Sequence, residues 1–214
     1  MTLRRALELA LADLYHQAWR MAILNVFLGT VVAAVALATL AVRPAIILAV
    51  LIGPVAAAIM HCAVTLAQTE DLRLGEAVTG LRRHWRRGLA LGTLLAAAAL
   101  LGALAVPFYA RAGTWAWPFA ALSIYILLMF CFFQLALWPV AVYEEGRAFR
   151  DVLRDAALVT LRRPLGFVGL GLLLLFVNAI GIVAAIVPFL TLTIAFSFLA
   201  SAHFALPKNP AREA

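Results

Sequence analysis

The chain has 214 residues, 66% of them hydrophobic and 13% charged, with 17 Lys and Arg against 10 Asp and Glu for a formal net charge of +7. A mean hydropathy of +1.03 leaves too little polar surface to cover a globular domain, so a water-soluble fold is excluded and an integral membrane protein is implied. Nucleic acid is not an expected partner either, because the arginines flank apolar runs, where anionic inner-leaflet lipid is the fitting counter-charge.

The first segment is amphipathic, with Leu7, Leu11, Leu14 and Ala18 on one helical face. Glu8 and Asp13 interrupt its basic character and the next apolar run is long enough to cross, so no secretory signal is expected. About 20 apolar residues cross a hydrocarbon core of about 30 Å. Six such runs are read, 21–42, 44–66, 88–109, 115–142, 165–182 and 187–206, giving an all-α, six-span bundle of one domain over 1–214. No charge interrupts the stretch from Pro164 to Pro207, about twice a bilayer thickness as one helix, so a turn is expected near 181–188.

Fifteen of the 17 basic residues fall before span one, between spans two and three, between spans four and five, or after span six; Arg43 and Arg111 are left for the opposite face. The positive-inside rule then places both termini in the cytoplasm of a multi-pass protein. Trp19, Trp85 and Trp138 fall near the inner interface, Trp115 and Trp117 near the outer one. The densest basic runs, Arg82, Arg83, Arg86 and Arg87 with Arg162 and Arg163, are candidate contacts for a partner or for anionic lipid. They lie in amphipathic segments that recur: Leu74, Val78, Leu81 and Trp85 share a face before span three, and Phe149, Leu153, Ala156 and Thr160 share one before span five. A helix, a span out and a span back would make three units, 1–68, 69–143 and 144–207; ancestral triplication and the common need for basic connectors both account for them. The doublets Glu70-Asp71 and Glu144-Glu145 open the second and third segments, where negative charge suits a helix N-terminus.

Within the spans there is no Asp, Glu, Lys or Arg, which disfavours an ion-coupled pump. Asn25, His61, Gln134, Asn178 and His203 are the larger neutral polar side chains, able to hydrogen-bond between helices or to meet a substrate. Gly53-Pro54 falls near the middle of span two, where proline opposes the carbonyl of Val50 and a kink is expected. Gly88 and Gly92 form a GxxxG, and Gly166, Gly169 and Gly171 open span five, all suited to close helix contact. Cys62 and Cys131 read as small buried thiols. No His or Cys pair has chelating spacing, and phosphate-loop and nucleophile-elbow motifs are absent, so no metal, cofactor or catalytic residue is expected.

Several of these residues together resemble the YesL family of bacterial membrane proteins: Leu24-Asn25, Ile52-Gly53-Pro54 with 56–58, Glu70-Asp71, the run from Gly80 to Arg87, and the stretch from Leu161 to Leu165. Ala77 stands where that family has an aromatic residue and His84 where it has Asn. The resemblance implies a bacterial inner-membrane protein and, from the family's frequent pairing with carbohydrate ABC transporters, an accessory role beside one. A permease subunit is not implied: Glu76-Ala77-Val78 begins like the coupling motif, but Gly80 comes too early and arginine dominates the loop. Three functions follow in order: a non-enzymatic accessory protein docking through its basic helices; a carrier or flippase for a neutral or lipid-like solute, with Gly53-Pro54, Asn25, Gln134 and Asn178 along its path; and an intramembrane enzyme using His61 and His203.

Overall fold

The structure, a computed structural model, describes residues 2–41, 50–69, 71–184 and 192–207. The elements in order are α1 (Leu3–His16), α2 (Ala18–Ala41), α3 (Ile52–Thr69), α4 (Gly75–Arg111), a 3-10 turn (Thr114–Ala116), α5 (Trp117–Tyr143), α6 (Phe149–Arg162), α7 (Pro164–Ala184) and α8 (Ile194–Ala205). Among the described residues, five helical stretches are long and apolar enough to cross a membrane, within α2, α3, α4, the 3-10 turn with α5, and α7, where six were expected. The sixth expected span is seen as α8, whose 12 residues reach about 18 Å, short of the hydrocarbon thickness of about 30 Å. Residues 187–191 of span six, the second half of the expected 181–188 turn, and residues 44–49 at the start of span two lie outside the described residues.

Backbone chemistry sets the breaks. Gln17 leaves the helical region (φ −116°, ψ 21°) between α1 and α2. Arg163 (φ −142°, ψ 55°) does so before Pro164, which restrains its predecessor and opens α7 with a φ already suited to a helix. No such break occurs in the middle unit: α4 runs unbroken for 37 residues, about 55 Å. Its first part, 75–87, carries Glu76, four arginines and His84 and lies outside the apolar stretch that begins at Gly88. The three expected units therefore differ at this junction, and no repeated unit is evident among the described residues.

The amphipathic faces are turned differently from the expectation. In α1 the buried stripe is Ala6, Ala10 and Leu14, while Leu11 and Tyr15 are exposed. In the first part of α4, Gly80 and His84 are buried, whereas Val78 and Trp85 point outward with Leu74. Small residues admit a neighbouring backbone, and the bulky apolar residues are left for lipid. Only α6 packs largely as expected, with Val152 and Ala156 buried and Phe149 and Leu153 half-buried.

The antiparallel hairpin of α3 and α4 is the centre of the fold. Pro54 sits in the first turn of α3 as described, where the missing N–H breaks no helical bond; residues 42–49, which the expected mid-span kink also involves, lie outside the described residues, and Gly53-Pro54 is a point of close approach. A Cβ on Gly88 would lie 2.6 Å from Pro54 Cα, and one on Gly92 2.8 Å from the Val50 carbonyl oxygen. The GxxxG thus seats one backbone on the other. At the start of α7, a Cβ on Gly166 would lie 2.6 Å from the Phe204 ring, the close contact expected there.

Burial is concentrated toward the end of the bundle that carries the arginines: 136–142 of α5 and 199–205 of α8 are buried throughout. At the opposite end Leu100, Leu101, Leu104, Phe108, Leu122, Ile124 and Tyr125 are exposed, as lipid-facing side chains would be. Trp115 and Trp117 are exposed at that end and Trp19 and Trp85 at the basic end, but Trp138 is buried in the core. Cys62 is buried as expected; Cys131 is exposed.

Candidate functional site

Three loops or helix ends meet at the basic end and build a polar cluster. His61, two turns before the end of α3, faces the first part of α4. Gly80 makes this possible, because a Cβ there would stand 2.9 Å from His61 Cβ and Cδ2. One turn further along α4, the buried His84 brings its Nε2 to 3.3 Å from His61 Nδ1 and to 3.3 Å from Glu145 Oε1. On the far side of the His61 ring, Nε2 lies 3.6 Å from Glu76 Oε2.

Glu145 reaches the cluster because the turn between α5 and α6 is held in place. Gly146 takes the left-handed region (φ 79°), which favours glycine. Arg87 then donates three hydrogen bonds of 2.7 Å, to the carbonyls of Ala141, Glu144 and Arg147. The first two lie at the end of α5, which leaves such carbonyls without helical partners and favours a cation, and the third lies in the turn before α6. Arg83 pairs with the other Glu145 oxygen. A cavity of about 160 Å³ remains, lined by Arg83, His84, Arg87, Glu145 and Gly146.

The charge balance keeps the His84 imidazole neutral. Burial is the main cause and the neighbouring His61 adds to it; Glu145 pulls the other way, while Arg87 and Arg83 push with the burial, and the group falls to about 4. Beside it, burial raises the Glu144 carboxyl above the usual carboxylate range despite Arg147, which lies 2.9 Å away and also bonds Asp155 at 2.6 Å.

A second histidine contact lies between α8 and α1: His203 Nε2 is 2.8 Å from Asp13 Oδ2, both side chains being largely buried. The two expected partners for intramembrane catalysis, His61 and His203, therefore each face a different group. The acidic doublets are also corrected. Asp71 pairs with Arg20 at 3.2 Å, α4 has no side-chain cap, and Glu144 and Glu145 serve the turn and the cluster while α6 likewise starts uncapped. Glu70 lies outside the described residues.

The remaining expected site residues divide. Arg82 and Arg86 are exposed, with Arg86 set over the Trp85 ring at 5.3 Å; Arg162 and Arg163 are exposed at the α6–α7 junction. Asn178 donates to Leu174 O at 2.7 Å and to Ser197 Oγ at 2.9 Å, tying α7 to α8. Asn25 is fully buried in α2. The amide of Gln134 is buried without a hydrogen-bond partner beside a cavity of about 140 Å³ lined also by Met60, Trp138, Ser197 and Ser201. Gly53, Pro54, Asn25 and Asn178 are not among the residues that line this cavity.

His84, Glu145 and Glu76 were missed as a site. The signal was present as a four-residue step, Gly80, His84, Gly88, Gly92, which extends the GxxxG stripe backward and puts His84 on the packed face of α4. Chemically the cluster offers two imidazoles and a carboxylate whose ligand atoms all lie within 4.8 Å of one another, a set able to hold a metal ion or share a proton. No protein-family model, curated protein or solved structure matches the chain.

Proposed function

We propose that this is a multi-pass protein of the bacterial inner membrane that works by contact, docking a partner through the arginines of its cytoplasmic end. In this reading a sixth span completes the bundle, both termini face the cytoplasm, and α1, the first part of α4, and α6 with the α6–α7 junction form a basic collar against anionic lipid. The observation that carries the reading is the division of labour on α4: Arg87 turns inward to hold the α5–α6 turn and the exposed Arg83 pairs with Glu145, while Arg82 and Arg86 stay exposed on either side of the exposed Trp85. Burying a guanidinium already committed to three carbonyls would be costly, whereas an exposed Arg-Trp-Arg edge is free to meet acidic groups. The candidate partner is a carbohydrate ABC transporter, which rests on the resemblance to the YesL family alone.

The test is gentle purification from native membranes. Arg82→Glu with Arg86→Glu should release a stoichiometric protein partner and leave the chain folded and inserted. Partner recovery unchanged by both reversals would overturn docking through this edge.

The unpartnered Gln134 amide beside a cavity favours one second reading, a carrier or flippase for a neutral solute. In that case a lipid or sugar should co-purify in place of a protein, and Gln134→Leu should lower its occupancy. Equal occupancy in the variant would remove this reading.

A further inference from the structure

We infer that His61, His84 and Glu145 form a binding site for a divalent transition-metal ion of the zinc type, with Glu76 behind it and an open fourth position facing the arginine-lined cavity. The inference stands apart from the docking function and draws on different residues.

Two of the three ligand–ligand distances are those of a coordination shell, and the third pair, His61 with Glu145, lies within 4.8 Å. Zinc–nitrogen and zinc–oxygen bonds of about 2.0–2.2 Å in tetrahedral geometry set neighbouring ligand atoms roughly 3.3–3.5 Å apart. His61 Nδ1 to His84 Nε2 and His84 Nε2 to Glu145 Oε1 are both 3.3 Å. Hydrogen bonding alone satisfies this arrangement only by sharing one proton. A neutral imidazole nitrogen either donates or accepts, yet His84 Nε2 faces two groups at once. With the His61 Nε2–H turned to Glu76, a proton on His84 Nε2 is split between Glu145 Oε1 and the His61 Nδ1 lone pair, each at the long distance of 3.3 Å. A cation at the centre receives all three lone pairs.

The surroundings are those a metal site requires. A histidine ligand orients its ring by directing its other nitrogen to a carboxylate, and His61 Nε2 faces Glu76 at 3.6 Å. Arg87 fixes the turn that carries Glu145, so the ligand from the third segment arrives on a restrained backbone. Two nitrogens and one carboxylate oxygen suit zinc better than calcium or magnesium, which take oxygen ligands. The cavity of about 160 Å³ gives water, or an anion drawn by Arg83, room at the fourth position.

The test uses the full chain without an affinity tag, in detergent, stripped of metal by a chelator and dialysed against Zn²⁺. One Zn²⁺ per chain is expected. Glu145→Gln and His84→Gln should each weaken binding by on the order of tenfold or more, Glu76→Gln should weaken it by on the order of tenfold, and His203→Gln should leave it unchanged. Glu145 lies on an exposed turn, so its variant reports on binding even if His84→Gln does not fold. The absence of saturable binding at one ion per chain would overturn the site. So would affinity that survives Glu145→Gln, or affinity lost with His203→Gln.

Discussion

Two histidine–carboxylate contacts sit at the same end of this bundle and differ in how many groups share them. His203 Nε2 lies 2.8 Å from Asp13 Oδ2 between α8 and α1, one ring nitrogen facing one carboxylate. At the junction of α3, α4 and the α5–α6 turn, His84 Nε2 meets both His61 and Glu145 at 3.3 Å, and Glu76 stands behind His61. The first is shorter and complete, which is what a structural tie needs. The second is looser, crowded with lone pairs and open to a cavity, which is what a ligand site needs. Residue type alone would have treated them as equals; the two partners that meet at His84 Nε2 separate them.

The largest effect that would sharpen this contrast is expected at the tie. Asp13→Ala leaves a buried imidazole without its partner and should cost about 3 kcal/mol of stability, whether or not zinc is present. The check is unfolding in mixed micelles with and without metal, and dependence of that loss on zinc would erase the distinction between the two contacts. A comparable but metal-dependent effect is expected at the cluster: zinc at about 100 times its dissociation constant should stabilise the chain by about 2.7 kcal/mol, and Glu145→Gln should remove most of that gain.

Acid should act on the cluster as well. The folded-state value for His84 is depressed from 6.5 to about 4, so its contribution is fully present above about 6.5 and is lost as pH falls toward about 4, because the unfolded chain takes up the proton first. Stability of the metal-free protein should therefore fall on the order of 2 kcal/mol over that interval, and His84→Gln should flatten this part of the profile in a pH series of unfolding curves. The smallest effect on stability is expected from Arg82→Glu with Arg86→Glu. Both side chains are exposed, and surface changes of this kind cost roughly 0.5 kcal/mol or less. Arg87→Ala should cost clearly more, since three carbonyls lose their donor, and the same unfolding assay compares the two.

The sequence made the all-α class and the positions of five helices long and apolar enough to cross a membrane legible, because hydropathy reports the number of consecutive apolar residues, which bilayer thickness would set. It misjudged which side of the amphipathic segments packs. Leu74, Val78 and Trp85 form the bulky stripe, yet the helix turns Gly80, His84 and Gly88 inward, since in lipid close backbone approach outweighs apolar bulk. Gly53-Pro54 stood out for the bend that proline suggests, and its glycine also provides a contact with Gly88 and Gly92 that proline chemistry does not announce.

The cluster itself was hidden for a different cause. His61, His84 and Glu145 are far apart along the chain, so no local spacing announces them, and Glu145 read as a helix-opening acid until the turn at Gly146 aimed it at α4. Arg83 and Arg87 likewise looked identical to Arg82 and Arg86. A rotation of about 100° per residue separates Arg83 and Arg87, which meet Glu145 and the α5–α6 turn, from the exposed Arg82 and Arg86.

The most direct measurement of the central claim is the visible absorption spectrum of the metal-stripped, tag-free protein on addition of Co²⁺, which reports coordination geometry in place of zinc. The intense band of four-coordinate cobalt should saturate at one ion per chain, disappear in Glu145→Gln and persist in His203→Gln. A weak six-coordinate spectrum that is the same in all three proteins would contradict the assignment of His61, His84 and Glu145 as a metal centre.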